Sequence, residues 1–260
     1  MKRRILFIVV CLFISAGIVF ATEAPLDQEQ KAEVAVIAPE MLEDEMAHVN
    51  SNELPDPLYP INFAMFYFND KLQLWLLEPA AKGYKYATPE IFRLGVGNVF
   101  NNLRSPVNFL NNLLQFKLDS FGKELFRFVF NSTVGLGGIC DVAYHLLDLK
   151  KQEADFGQTL GYYGVGQGIY LVWPIIGPSS LRETVGFLGD QVMSPPTYLS
   201  FFFLDFLQSS SVVTFEKIND TSFKLGDYSL LTNSSVDPYL ALKNVFEQYR
   251  AKKIRQVDEH

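Results

Sequence analysis

This 260-residue chain has two cysteines, three histidines and no apolar run long enough to cross a bilayer beyond its first 21 residues. Each scarcity excludes something. Cys11 lies inside the N-terminal apolar run, so removing that run leaves Cys140 alone. A single cysteine cannot form an internal disulfide, and Cys140 is expected to be a buried structural thiol. The histidines are His48, His145 and His260. A zinc site needs three or four ligands at usable spacing, which this inventory does not supply. Asp141 and His145 stand four apart and can share a helix face, but one such pair does not make an active site. No G-x-S-x-G elbow is present. The glycine-rich stretch Gly161-Tyr-Tyr-Gly-Val-Gly-Gln-Gly168 has neither the spacing of a dinucleotide fingerprint nor a G-K-[ST]. The expectation is a non-enzyme without metal or cofactor. Bases are scarce too, 22 against 29 acids, so a nucleic-acid role has no electrostatic footprint.

Apolar residues, by contrast, are abundant. They make up 48% of the chain, with 23 Phe, and the mean hydropathy is +0.09. Past residue 21 the longest apolar stretches are Ile169–Ile176, broken by Pro174, and Tyr198–Leu207, broken by Asp205. Neither reaches the ~18 residues that a spanning helix requires. The chain is greasier than an ordinary soluble domain and has no spanning segment to account for it.

The N-terminus accounts for part of this. Lys2, Arg3 and Arg4 precede an apolar run to Phe20, and Val19-Phe20-Ala21 approaches a small-residue cleavage site. Residues 1–21 read as a secretory signal peptide. Val10 precedes Cys11 and the apolar run continues past it, so Cys11 reads as part of that run and not as a lipidation site. Residues 22–56 carry ten acids against the single base Lys31, with Pro25, Pro39 and Pro55. They are expected to form an acidic, disordered tether. Residues 57–260 retain eighteen bases and nineteen acids, so the body is a nearly neutral domain of about 200 residues.

Helical periods dominate that body. A first helix is expected over 61–78, stopped by Pro79, with Asn62, Asn69 and Gln73 on a narrow polar stripe. Residues 107–116 repeat the design, with Asn108, Asn111, Asn112 and Gln115 at i, i+3, i+4 and i+7. A third helix over 119–131 places Lys123, Arg127 and Asn131 four apart among Leu125, Phe126, Phe128, Val129 and Phe130. Ser180-Leu-Arg-Glu183 is a capping box opening a helix to about Met193, which bears Arg182, Glu183 and Asp190. Asp237-Pro238 starts a C-terminal helix. The Gly161–Gly168 turns lead into an extended apolar loop, Tyr170-Leu-Val-Trp-Pro-Ile-Ile-Gly177, read as a lipid-inserted hairpin, a lid, or a loop packed over the core.

These helices invert the usual balance of a narrow apolar stripe and a wide polar face. Either the polar stripes meet inside the protein, or the apolar arcs face lipid while the stripes face a wet lumen. Several such helices in a ~200-residue domain favour lipid, because so small an interior cannot bury many helices on every side. A soluble lipid carrier with its apolar faces turned inward is the alternative, and a lipid-cleaving enzyme using His145 is a third reading.

Ordered motifs add a resemblance. Asp56-Pro-Leu-Tyr-Pro-Ile-Asn-Phe-Ala-Met-Phe66, Asn98-Val-Phe-Asn-Asn-Leu-Arg-Ser-Pro106, Asn131-Ser-Thr-Val-Gly-Leu-Gly-Gly138, Asp155-Phe-Gly-Gln-Thr-Leu-Gly161, Gly177-Pro-Ser-Ser-Leu-Arg182 and Asp237-Pro-Tyr239 follow one another across about 56–255. In that order they resemble the MlaA/VacJ family. The resemblance implies an all-α ring of amphipathic helices around a central channel, lying in the inner leaflet of the outer membrane. It implies removal of mislocalised phospholipid from the outer leaflet, delivery to a soluble MlaC-like periplasmic carrier, and partnership with a porin trimer. The channel-lining candidates are then Asn62, Asn69, Gln73, Asn108, Asn111, Asn112, Gln115, Lys123, Arg127, Arg182, Glu183 and Asp190. Tyr170, Trp173, Pro174, Ile176 and Gly177 are the candidates for a gate or membrane loop. Arg182 is the first choice for a phosphate contact, because its fork suits phosphate oxygens; a salt bridge to Glu183 or Asp190 is its structural alternative. Members of the family are typically lipoproteins, and this chain lacks a convincing lipobox.

Overall fold

Why the apolar arcs are so wide becomes visible in how the helices pack. A computed structural model describes residues 54–204 and 206–258. The signal peptide, Cys11, most of the tether, Asp205 and His260 lie outside the described residues. The elements in order are α1 (Tyr59–Leu72), a π-helical turn (Gln73–Leu77), α2 (Glu78–Ala87), α3 (Glu90–Leu114), α4 (Leu118–Thr133), α5 (Val142–Leu147) and α6 (Phe156–Tyr162). A hairpin of β1 (Tyr170–Trp173) and β2 (Gly177–Ser180) follows. Then come α7 (Leu181–Met193), α8 (Pro195–Phe203), α9 (Phe206–Phe223), α10 (Asp227–Ser234) and α11 (Pro238–Asp258). The fold is helical, as expected, apart from that hairpin.

Two expectations, on where the first and second helices end and begin, need correction. Pro79 does not stop the first helix. The Gln73–Leu77 π-turn sets the Glu78 amide on the Gln73 carbonyl, and this widened turn accommodates Pro79 directly after it. The chain therefore stays helical from Tyr59 to Ala87. The second helix is much longer than 107–116, since Pro106 lies buried inside the 25-residue α3. The apolar loop is an antiparallel hairpin in which Tyr170 pairs with Ser180 and Trp173 with Gly177. Its turn holds Ile175 at φ +69°, an outlier for a β-branched residue.

Cap chemistry follows the sequence with one exception. Asp141, Asp155 and Ser180 accept from amides of the first turns of α5, α6 and α7, and Asp237 accepts from the Tyr239 and Leu240 amides. Glu183 does not complete a reciprocal capping box, because its carboxylate is taken by Arg182 and Arg250.

The spine of the molecule is α3, which packs on α4, α6, α7, α8 and α9. Helices α6 and α7 cross at two glycines. A Cβ on Gly186 would lie 2.5 Å from the Gly157 backbone nitrogen, so only glycine permits that approach. Packing begins at Leu54, three residues before the expected body, since Pro55 and Asp56 both bond into it. The largest apolar core is small. Leu54, Tyr170, Val172 and Tyr239 are buried together, with Met65, Phe66 and Phe246 against them.

Candidate functional site

Among the described residues, 22 polar or charged side chains are buried, against eight apolar ones. The large apolar side chains instead face outward along α1, the π-turn, α3, the α3–α4 link, α4, α7, α8, α9 and the hairpin tip, among them Trp75, Phe116, Phe126, Leu188, Phe202 and Ile175. Globular proteins in water do the opposite. Of the two ways to read the polar stripes, the structure puts most of their members inside, bonded to neighbouring side chains and backbone groups.

The α3–α4 seam is organised by Glu124, which is fully buried. Its Oε1 accepts from Ser105 Oγ at 3.0 Å and Asn108 Nδ2 at 3.3 Å. Its Oε2 accepts from the Gln152 amide at 3.0 Å and faces Arg127 Nε at 3.5 Å. Arg127 also donates to the Leu149 carbonyl and, at 2.7 Å, to Asp141 Oδ2. Asn131 donates to Asp141 Oδ1 and accepts from the Ala143 amide, fixing α5 to α4. Asn112 donates to the Gln152 carbonyl. Both Glu124 oxygens are thus engaged, the condition for tolerating a buried carboxylate away from water, while Arg127 Nε is held by the ion pair alone without a hydrogen bond.

A second cluster joins α3, α6, α7 and α11. Asn111 donates to Asp190 Oδ1 at 3.0 Å, and the Phe156 amide donates to the same oxygen at 2.9 Å. Thr159 Oγ1 donates to Asn111 and accepts from Gln115. Arg250 forks onto both oxygens of Asp155 at 2.8 and 2.9 Å and also meets Glu183. Arg182 donates to Glu183 at 3.0 Å and to the Val165 carbonyl at 3.1 Å. Three acids thus share two bases. The Arg250 fork holds the Asp155 carboxyl below its usual range despite burial. Burial, with the Asp155 charge adding to it, pushes Asp190 up to about 6, against the hydrogen bonds from Phe156 and Asn111.

The third cluster holds the hairpin. Asn62 donates to the Tyr170 carbonyl at 3.0 Å and to Asp56 at 2.7 Å, and it accepts from the Val172 amide. Two turns further along α1, Asn69 donates to the Trp173 carbonyl at 2.9 Å and accepts from the strained Ile175 amide at 2.7 Å. Tyr239 donates its hydroxyl to Asp56. Trp173 donates its indole N–H to Thr184.

The predicted site residues therefore separate into groups. Asn62, Asn108, Asn111, Asn112, Gln115, Arg127 and Arg182 are buried and bonded within the protein. For Arg182 the salt bridge to Glu183 is what forms. Asn69, Gln73, Glu183 and Asp190 are half-buried, and Lys123 is exposed, paired with Asp119. Trp173, Pro174 and Ile176 are exposed at the hairpin end. Tyr170 is not: it belongs to the apolar core, and Gly177 is buried at φ +97°. Cys140 is exposed, not a buried thiol, because it sits in the turn-rich link between α4 and α5. Glu124, Asp141, Asp155 and Arg250 were missed. Asp155, three residues before the buried Gln158, carried an N-cap signal; Glu124 stood beside the predicted Lys123 with nothing to mark it.

A family model described as MlaA lipoprotein matches residues 54–253. An uncharacterized protein of Rickettsia bellii is 34% identical over 204 residues, 78% of each chain. The intermembrane phospholipid transport system lipoprotein MlaA of Escherichia coli is 32% identical over 197 residues, covering 74% of this chain and 76% of its own. Its Haemophilus influenzae counterpart is 35% identical over 147 residues, 56% and 59% of the two chains. A solved structure concerned with maintenance of bacterial outer membrane lipid asymmetry superposes with a TM-score of 0.68 at 30% identity, covering 77% of this chain and 99% of that one.

Proposed function

The chain belongs to the MlaA lipoprotein family, and from that premise we propose how it handles lipid. It is a component of phospholipid transport that maintains the lipid asymmetry of the outer membrane. It removes mislocalised phospholipid from the outer leaflet and releases it on the periplasmic side to a soluble carrier. A porin trimer is its membrane partner. It acts by binding and guiding lipid and catalyses no reaction. Residues 1–21 export it and are cleaved.

The observation that carries this reading is the inverted interior, polar inside and apolar outside. No helix among the described residues is long and apolar enough to cross a membrane. A body with an apolar skin and no spanning helix suits insertion into one leaflet. Its skin meets acyl chains, and most polar atoms of the buried stripes bond to other protein groups where no water can reach them. The stripes form the wall of the headgroup path. Their half-buried or exposed members, Asn69, Gln73, Lys123, Glu183 and Asp190, are those a headgroup meets. The exposed tip Trp173–Ile176 gates the path or enters lipid. The embedded body holds the chain in the leaflet whether or not Cys11 is lipidated.

Carbonate and high-salt washing of membranes tests the insertion. The protein stays in the pellet and, extracted in detergent, carries phospholipid with it. Complete release as a lipid-free soluble protein would refute insertion, and release with bound lipid would favour the soluble-carrier alternative.

A further inference from the structure

The helix from Tyr59 to Ala87 carries a stripe that the lipid path does not use. Tyr67, Lys71, Trp75, Pro79, Lys82 and Tyr86 follow one another at steps of three or four. At about 100° per residue an unbroken α-helix would gain about 40° at each four-residue step and lose about 60° at the three-residue step, leaving Tyr86 about 100° around the axis from Tyr67. The π-turn at Gln73–Leu77 turns less per residue and brings the second half back into line with the first. Across the first half the contacts are direct: Lys71 Nζ lies over both the Tyr67 ring, at 4.8 Å, and the Trp75 ring, at 5.8 Å. Trp75 is 74% exposed and Tyr86 96%. From Tyr67 to Tyr86 the stripe is about 28 Å long, at about 1.5 Å per residue.

Charge is sorted across this helix. Asp70 and Glu78 turn inward, where Tyr228 and Ser229 donate to them. Lysine partners lie further out: the Lys82 side chain is 63% exposed against 8% for Glu78, and Lys71 is half-buried at 31% against 15% for Asp70. Lys85 adds an exposed cation beside the stripe. On the neighbouring arc Ile61, Phe68 and Leu76 are exposed and purely apolar. Tyr and Trp with a wet end, and lysines with apolar stems, are the residue types that settle at the headgroup level of a bilayer, and the arc beside them suits acyl chains.

We propose that the Tyr67–Tyr86 stripe lies along the phosphate headgroup layer of the host leaflet and sets the depth and tilt of the protein in it. The stripe is a lipid-surface contact, separate from the transported lipid. The proposal rests on insertion of the body into one leaflet and adds which edge of it meets the headgroups.

Trp75 reports on this directly. The mature chain carrying Trp173→Phe is reconstituted into vesicles of zwitterionic and anionic phospholipid whose acyl chains are brominated near the headgroup or near the methyl end. Headgroup-end bromines quench Trp75 more strongly than methyl-end ones. The difference between wild type and Trp75→Phe gives the same reading if the Trp173 variant folds poorly. Removing charge with Lys82→Gln and Lys85→Gln weakens partition into anionic vesicles by about fivefold per lysine, the factor that roughly 1 kcal/mol per basic residue near such a surface represents. Partition into purely zwitterionic vesicles is unchanged. Protein that floats with vesicles while Trp75 is unquenched, or is quenched most by methyl-end bromines, overturns the proposal and leaves insertion standing. Equal loss of partition in both vesicle types also overturns it. Failure to float at all would defeat the insertion reading itself.

Discussion

Replacing Asp190 by asparagine should stabilise the protein at alkaline pH and leave it unchanged in acid. Asp190 sits between α3, α6 and α7, where Asn111 and the Phe156 amide both donate to its Oδ1. Those two bonds favour the carboxylate. Burial and the Asp155 charge disfavour it more, and raise the group from 3.8 to about 6. A carboxyl raised in this way binds its proton more tightly when folded than when unfolded. Its penalty is therefore fully present above about pH 6, shrinks as the pH falls, and is gone below the unfolded value near 3.8. A displacement of that size corresponds to about 3 kcal/mol. Asparagine keeps an oxygen for both donors and removes the charge. Urea unfolding of Asp190→Asn and wild type in the same detergent should differ by up to about 3 kcal/mol at pH 8. The difference should close toward pH 4. Comparing the two proteins cancels the other titrating groups, such as Glu153, which Lys151 and Lys253 hold down at about 2 against its burial. A variant less stable than wild type at pH 8, or a difference that does not vary with pH, would refute the charge balance assigned to this cluster.

Further outcomes follow from the packing. Glu124→Ala leaves Arg127 buried with only Asp141 and the Leu149 carbonyl, and should cost about 3 kcal/mol, the low end for breaking a buried ion pair, as read by the same unfolding assay. Gly186→Ala should cost about 2 kcal/mol or more because its Cβ meets Gly157 backbone at 2.5 Å, whereas Gly83→Ala, with nothing within 4 Å, should gain up to about 1 kcal/mol from helix propensity. Ile175→Gly should raise stability by roughly 1 kcal/mol by relieving φ +69°, while Asn69→Ala should lower it and loosen the hairpin tip, read by hydrogen exchange at Ile175.

Much of the fold could be read from local signals. The caps at Ser180 and Asp237 and the helix over 119–131 were legible because each rests on neighbours in sequence. The polar stripes were legible as stripes, and their residues are those that tie the helices together. What they face depends on partners far along the chain: Asn62 meets Tyr170 across 108 positions, and Arg250 meets Asp155 across 95. No periodicity contains that information. Pro79 misled because the π-turn that accommodates it has no sequence signature as strong as proline itself. Gate residues divided for a similar reason. Alternation along β1 sends Tyr170 and Val172 into the core and Trp173 outward, which an unpaired loop would not do.

The most direct test of the account is the amount of phospholipid in the outer leaflet of cells that lack this chain. Removal should raise outer-leaflet phospholipid, and the wild-type chain supplied again should restore it. Unchanged surface phospholipid in a clean deletion would contradict a role in lipid asymmetry.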